Sequence, residues 1–229
     1  MNLFWYYLQP GVLARFAGGQ DVCGGSLLRA NRVLTAAHCW WDGQNQVSSF
    51  TVVLGSVFLF SGGTRVATNN VVMHGSWTPN LIRNDVAIIR LPNNVDNIAV
   101  IALPSGGQLN ENYAGENAIA SGFGLTSDGM EFFRICYFYY VYEIIYNYVS
   151  TGGGISTNQR LSHVTLPVIT NAVCRSSIPL IIQDSNICTS GAGGRSTCHG
   201  DSGGPLVVNR GGRPIVVRIF KIMILLSTW

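Results

Sequence analysis

The sequence predicts an all-β protein built from barrels. Its 229 residues include 27 glycines and only 11% charged residues, a composition that fits a turn-rich β protein better than a helical one. Short runs of alternating or β-branched apolar residues recur between turn signals. They cover residues 50–54, 65–72, 85–91, 117–122, 163–168 and 205–208. Many short strands with regular turns between them are typical of β-barrels.

Glycine, proline and asparagine clusters separate these strands. The segments 92–94 (Pro-Asn-Asn) and 104–107 (Pro-Ser-Gly-Gly) are two examples, and each combines residues that interrupt a strand. Helix is expected to be scarce. We predict one turn at 36–39 and one short helix near 171–175.

Charge excludes two classes of partner. The formal net charge is only +3 and the basic residues are dispersed along the chain. A protein that binds nucleic acid or a membrane surface electrostatically usually carries a concentrated basic patch. We therefore expect no nucleic-acid partner and no membrane partner. At this length the chain can bury a sizeable core in one or two domains.

The segment 198–206 (Cys-His-Gly-Asp-Ser-Gly-Gly-Pro-Leu) carries the strongest chemical signal. Gly200 and Gly203 permit backbone conformations that a side chain would forbid. Such a turn can direct two main-chain N–H groups at one point beside the Ser202 hydroxyl. In acyl transfer, each well-placed donor of such an oxyanion hole stabilises the transition state by roughly 3–4 kcal/mol. The alternative is a glycine-rich loop with a surface serine.

Two further segments supply what a serine nucleophile needs, namely a base and an acid that orients the base. His38 lies in 34–39 (Leu-Thr-Ala-Ala-His-Cys), and Asp85 heads an alternating apolar run. His38, Asp85 and Ser202 follow one another in the order base, acid, nucleophile. A zinc site built from the two His-Cys pairs would need a different spacing, so we expect no metal and no cofactor.

These motifs resemble the chymotrypsin-like (trypsin-fold) serine proteases, nearest to insect digestive chymotrypsin-like and collagenase-like enzymes. Residues 22–27, 120–124 and 171–174 match the same pattern. The resemblance implies two antiparallel six-stranded β-barrels with the active site in the cleft between them. His38 would then be the general base, Asp85 would fix its tautomer, and Ser202 would attack the scissile carbonyl, with the N–H groups of Gly200 and Ser202 forming the oxyanion hole.

The resemblance also sets the expected domain bounds. The protease domain is expected at 11–217, with barrel one at about 11–103 and barrel two at about 115–217. Residues 1–10 and 218–229 lie outside the family pattern. The family has a wall of the specificity pocket and a closing helix after this point, so the second barrel is expected to be incomplete.

An aromatic insertion at 131–153 interrupts barrel two. Nine of the 21 residues at 131–151 are aromatic, against 24 in the whole chain. A membrane span at 132–149 is disfavoured because Arg134 and Glu143 interrupt it. An exposed adhesive strand is a second interpretation. We favour a third, that the segment is translated non-coding sequence.

Six cysteines indicate an oxidising compartment. Cys23 and Cys39 flank a hairpin-sized loop whose closure could add about 3 kcal/mol. Cys174 and Cys188 match a second disulfide of the family. The resemblance implies a partner for Cys198 further along the chain, and no cysteine follows residue 198, so we expect Cys198 to be unpaired. Cys136, which lies in the aromatic insertion, has no match in the family and is also expected to be unpaired.

The resemblance assigns roles to two more residues. Asp201, the acid before the nucleophile, would be the activation-linked acid, which family members pair with an N-terminal ammonium freed by cleavage. No such N-terminus is visible in the sequence, and a buried unpaired acid is costly. We therefore expect the Gly200 N–H to point away from the cleft.

Ser196 would form the pocket floor, where a neutral side chain disfavours Arg or Lys substrates. Simple turn packing is the other interpretation of Ser196.

These observations predict a secreted serine endopeptidase, chymotrypsin-like and digestive, acting in a gut lumen and inactive as written. Its partners would be protein or peptide substrates and protein protease inhibitors, and it would be a monomer. The alternative is a non-catalytic homologue of these proteases that serves as a binding module. The intact set His38, Asp85 and Ser202 argues against that alternative.

Overall fold

The computed structural model describes residues 9–126, 155–177 and 182–219. The aromatic insertion at 131–153, Cys136, and the outer parts of both termini lie outside these residues. The described chain is almost entirely β, with thirteen strands and a single α-helix. The all-β prediction is confirmed.

The first half of the chain forms eight strands in two four-stranded antiparallel sheets. They are β1 (Gly11–Phe16), β2 (Gly19–Gly24), β3 (Ser26–Arg29), β4 (Arg32–Thr35), β5 (Ser49–Leu54), β6 (Thr64–Thr68), β7 (Val71–Met73) and β8 (Ala87–Arg90). The strand orders are β2-β1-β5-β6 and β3-β4-β8-β7.

These two sheets are the two sides of one barrel. Gly25 alone separates β2 from β3, and two residues separate β6 from β7, so two chain segments bend from one sheet into the other. If each bent segment counts as one strand, the neighbours run β1, β2/β3, β4, β8, β7/β6, β5 and back to β1. The first half is therefore a ring of six strands. The run predicted at 65–72 is split because the strand bends there.

The second half forms five antiparallel strands in the order β11-β10-β9-β12-β13. They are β9 (Asn117–Gly122), β10 (Ser162–Ile169), β11 (Cys188–Thr189), β12 (Pro205–Arg210) and β13 (Arg213–Ile219). Among the described strands, β11 pairs only with β10 and β13 only with β12, and the outer side of β13 adds one isolated parallel bridge from Ile215 to Ala102, so this sheet is open.

Helical structure is limited, as predicted. The short helix α1 (Asn171–Ser177) begins where the sequence predicted it. Three 3-10 turns complete the described helical residues, at Pro79–Leu81, Gly106–Asn110 and Ala192–Gly194. No helix in the described part of the chain is long and apolar enough to span a membrane.

Each half has its own core. Phe50, Leu27 and Ile89 are among the residues buried in the first, and Leu166 and Leu206 are among those in the second. A third cluster lies between the halves, where Leu59 packs with Phe123. Main-chain bonds join the halves at the same place, since Leu59 N donates to Gln159 O at 3.0 Å. The two halves therefore meet along a packed, hydrogen-bonded seam.

Candidate active site

Strand pairing brings His38 and Asp85 to the same end of the first barrel. Thr35 at the end of β4 pairs with Ala87 at the start of β8. His38 follows Thr35 by three residues and Asp85 precedes Ala87 by two, so both extend beyond the same edge. After β4 the chain turns sharply, with the N–H groups of Trp40 and Trp41 both donating to Ala37 O.

The Asp85 carboxylate holds His38 at two points. One oxygen accepts a hydrogen bond from His38 Nδ1 at 2.7 Å, and the other accepts one from the His38 backbone N–H at 2.8 Å. The Asp85 side chain is 6% exposed and the His38 side chain 25% exposed. Because Nδ1 is engaged by the acid, Nε2 is the ring atom that can exchange a proton with a nucleophile.

The Ser202 turn packs directly beside the His38 turn. Gly203 has φ +82°, and a Cβ there would lie 2.4 Å from Thr35 Oγ1 and 2.6 Å from Gly24 O, so no side chain fits. The Ser202 carbonyl accepts a 2.7 Å hydrogen bond from Gly24 N. Cys39 Sγ lies 3.7 Å from that carbonyl oxygen and 3.9 Å from His38 Nε2.

The same turn leaves two main-chain donors without an acceptor. Gly200 adopts φ +93°, a conformation that favours glycine. Within the described ranges, neither Gly200 N–H nor Ser202 N–H donates a hydrogen bond to another protein group. Unsatisfied N–H groups flanking a serine are the donors that an oxyanion requires.

Asp201 is buried on the side of the turn that faces the second barrel. Its carboxylate accepts hydrogen bonds from Gly124 N at 2.8 Å and from Cys198 N at 2.9 Å. A Cβ on Gly122 would lie 1.9 Å from the same carboxylate, so the strand end must carry glycine. Burial raises the pKa of Asp201 to about 6, although both backbone bonds oppose the shift. No cationic group of the described residues forms an ion pair with it.

Sequence reasoning missed an ion pair that crosses from β2 to the nucleophile turn. His199 Nε2 lies 3.1 Å from Asp21 Oδ1, and both side chains are nearly half exposed. Desolvation raises the pKa of Asp21, but the hydrogen bond and positive charge of His199, together with the Val22 N–H bond and the charge of His38, hold that pKa below its ordinary value. The sequence places His199 next to the nucleophile but gives no signal for its partner.

Ser196 lies six residues before Ser202, and its hydroxyl donates to Thr197 O at 2.9 Å. The side chain is partly exposed and carries no charge. The structure therefore brings His38, Asp85 and the Ser202 turn together and places Ser196 on the segment that leads into this turn.

The structure contains the disulfides Cys23–Cys39 and Cys174–Cys188. The expectation that Cys198 is unpaired is wrong, because Cys198 is disulfide-bonded. The expectation failed because it considered only cysteines downstream of residue 198. Cys23, His38 and Cys39 place potential metal ligands within 4.8 Å of one another, but both sulfurs belong to the disulfide and are not thiolates.

Known proteins resemble this chain over most of its length. The sequence matches the trypsin family over residues 9–134 and 145–221. It is 33% identical over 190 residues to a collagenase of Hypoderma lineatum, covering 82% of this chain and 61% of that protein. It is 32% identical over 206 residues to brachyurin of Leptuca pugilator, covering 87% of this chain and 76% of that protein.

A chymotrypsin of Phaedon cochleariae is 32% identical over 193 residues, covering 82% of this chain and 59% of that protein. Among solved structures, HL collagenase superimposes with a TM-score of 0.69 at 28% identity, covering 94% of this chain and 89% of the other. The fold is thus the two-barrel fold that the resemblance implied. On this evidence the chain belongs to the trypsin family of serine proteases.

Proposed function

We propose that this protein is a serine endopeptidase whose catalytic triad is Ser202, His38 and Asp85. The observation that carries the proposal is the pair of hydrogen bonds that His38 donates to the Asp85 carboxylate, directly beside the turn that bears Ser202. A buried acid that fixes both the ring and the backbone of a histidine is the arrangement that activates a serine.

In this mechanism the His38 Nε2 atom takes the Ser202 hydroxyl proton as the oxygen attacks the scissile carbonyl. The imidazolium that forms is stabilised by the ionised Asp85. The N–H groups of Gly200 and Ser202 donate to the oxyanion of the tetrahedral intermediate. His38 then passes the proton to the leaving amine, and the acyl-enzyme forms. A water molecule, deprotonated by His38, attacks the acyl-enzyme and regenerates Ser202.

We assign the substrate preference to apolar or aromatic side chains, with Ser196 at the pocket floor. This side chain is neutral, and its hydroxyl proton is used within its own segment. It therefore offers no counter-charge to a substrate Arg or Lys. The relatives named collagenase and chymotrypsin are compatible with this choice.

We assign the protein to an extracellular, digestive setting such as a gut lumen. Two disulfides and a fifth disulfide-bonded cysteine, Cys198, suit an oxidising compartment. The partners in this assignment are protein or peptide substrates and protein protease inhibitors. The active species is a monomer, since both sides of the site come from one chain.

The burial of Asp201 favours low catalytic activity. This carboxylate has two backbone donors but no paired cation among the described residues. An ionised carboxylate that is buried without a cation destabilises the turn at neutral pH. The position of the Gly200 N–H is therefore only weakly fixed. The same observation supports the second candidate, a non-catalytic homologue that binds partners through this fold.

A fluorophosphonate probe tests both candidates, because it reacts only with an activated serine. We expect one adduct per chain on Ser202, formed slowly because the Gly200 donor is weakly fixed. It should be lost completely in Ser202→Ala and form at least 100-fold more slowly still in His38→Ala. The exposed Ser156→Ala is the matched control and should label like the unmodified protein. Folded protein that forms no adduct would refute the enzyme proposal and leave the binding module.

A further inference from the structure

A small cavity lies between the two barrels, behind the nucleophile turn. Its volume is about 30 Å³. Gln9 and Ser26 line it from the first half of the chain, and Ile119, Ser121 and Val207 line it from the second. Most of the lining is apolar, so the few polar side chains that face the cavity have little around them with which to form hydrogen bonds.

Two buried side chains at this cavity have polar atoms without partners. Gln9 is 3% exposed and Ser26 is 1% exposed. The oxygen and nitrogen of the Gln9 amide form no hydrogen bond with the described residues. The Ser26 hydroxyl forms none either. Burying a primary amide with no partner is strongly unfavourable, and buried polar groups are normally satisfied by protein or by ordered water.

We propose that Gln9 and Ser26 bind one or two internal water molecules in this cavity. One buried water needs at least about 10–15 Å³, so a cavity of about 30 Å³ has room for one or two. The Gln9 amide offers two donors and one acceptor, and the Ser26 hydroxyl can donate and accept. These groups supply the two to four hydrogen bonds that a buried water requires. Water completes the polar contacts that the two side chains cannot make with each other.

The location of the site connects it to the nucleophile turn. A Cβ on Gly24 would lie 3.0 Å from Gln9 Nε2, and a Cβ on Gly204 would lie 3.1 Å from the same atom. The amide is therefore wedged between these two glycines. Gly24 N donates to Ser202 O, and Gly204 ends the turn. A Gln9 amide that is hydrogen-bonded to water stays between the two glycines. It then does not compete for the main-chain hydrogen bonds of the turn.

Two measurements on the full chain test the proposal. In a crystal structure of the protein, we expect ordered water within 3.2 Å of both Gln9 and Ser26. In solution, oxygen-17 magnetic relaxation dispersion counts long-lived waters, and we expect Gln9→Met and Ser26→Val to lower this count by one or two. The matched control is Gln20→Met, since Gln20 is exposed on β2 and should leave the count unchanged.

The outcomes separate clearly. An empty cavity, or a Gln9 amide turned onto a protein partner in the crystal, overturns the proposal. An unchanged count in a folded Gln9→Met protein overturns it as well. If both variants fail to fold, the crystal structure of the unmodified chain decides. None of these results depends on catalytic activity, so they remain informative even if the proposed function fails.

Discussion

The titration of Asp201 is expected to make the protein less stable as the pH rises, which is the opposite of the usual behaviour of a buried acid in an ion pair. The folded-state pKa is about 6 against an ordinary value of 3.8. The folded state therefore binds this proton more tightly than the unfolded chain does. This contribution favours folding fully below about pH 4 and is lost as the pH rises through about 6.

The magnitude follows from the size of the shift. A rise of about two pKa units, at ~1.4 kcal/mol per unit, corresponds to about 3 kcal/mol of stability lost between pH 4 and pH 8. Desolvation causes the shift, and the hydrogen bonds from Gly124 N and Cys198 N limit it. Asp201→Asn removes the titration while retaining one acceptor. It leaves one backbone donor facing an amide nitrogen, a cost of about 1–3 kcal/mol that does not vary with pH.

Urea unfolding monitored by tryptophan fluorescence between pH 4 and pH 8 measures this effect, in a Ser202→Ala background that prevents autolysis. As the pH rises, the unfolding free energy of the parent should fall by about 3 kcal/mol relative to that of Asp201→Asn, because the variant lacks this titration. The exposed Asp96→Asn is the control and should follow the parent. A difference that stays constant within 1 kcal/mol across this range would refute the desolvation argument.

Three further predictions concern the triad, the strand end and a disulfide. Asp85→Asn should lower kcat on a chromogenic peptide about 10⁴-fold, because the ring loses its fixed tautomer; a loss below tenfold would contradict the assigned role. Gly122→Ala should destabilise the fold by at least ~2 kcal/mol, measured by thermal unfolding, since its Cβ would clash with the buried acid. The double variant Cys174→Ser/Cys188→Ser should lose about 3 kcal/mol in urea unfolding, and an unchanged midpoint would count against loop closure as the cause.

Strands with a clear apolar pattern could be predicted, and those with glycine-bounded polar sequences could not. The run at 117–122 coincides with β9, and the predicted helix at 171–175 lies within α1. By contrast, β2 has the sequence Gly-Gln-Asp-Val-Cys-Gly, in which only its second half is buried. Its pairing with β1 is set by the barrel and not by local pattern, so the single sequence gives no reliable signal for it.

The residues of the candidate site could be predicted where each lies in a short, contiguous sequence motif. His38, Asp85 and Ser202 each lie in a short segment whose residue types suit one role. The ion pair between Asp21 and His199 is different, because its two residues are distant in sequence and meet only when the Ser202 turn packs against the first barrel. The burial of Gln9 was also missed, since sequence reasoning placed it outside the protease domain.

The nucleophile turn is held by main-chain donors from both halves of the molecule. Gly24 N, from the first barrel, donates to Ser202 O, while Gly124 N, from the segment after β9, donates to the Asp201 carboxylate. The position of Ser202 therefore depends on both barrels at once, although His38 and Asp85 come from the first alone. The Gly24 anchor ends on a carbonyl, whereas the Gly124 anchor ends on an ionisable carboxylate, so the titration of Asp201 acts on the anchor from the second barrel. Substitutions that disturb packing between the barrels should therefore impair the nucleophile before they affect the contact between His38 and Asp85.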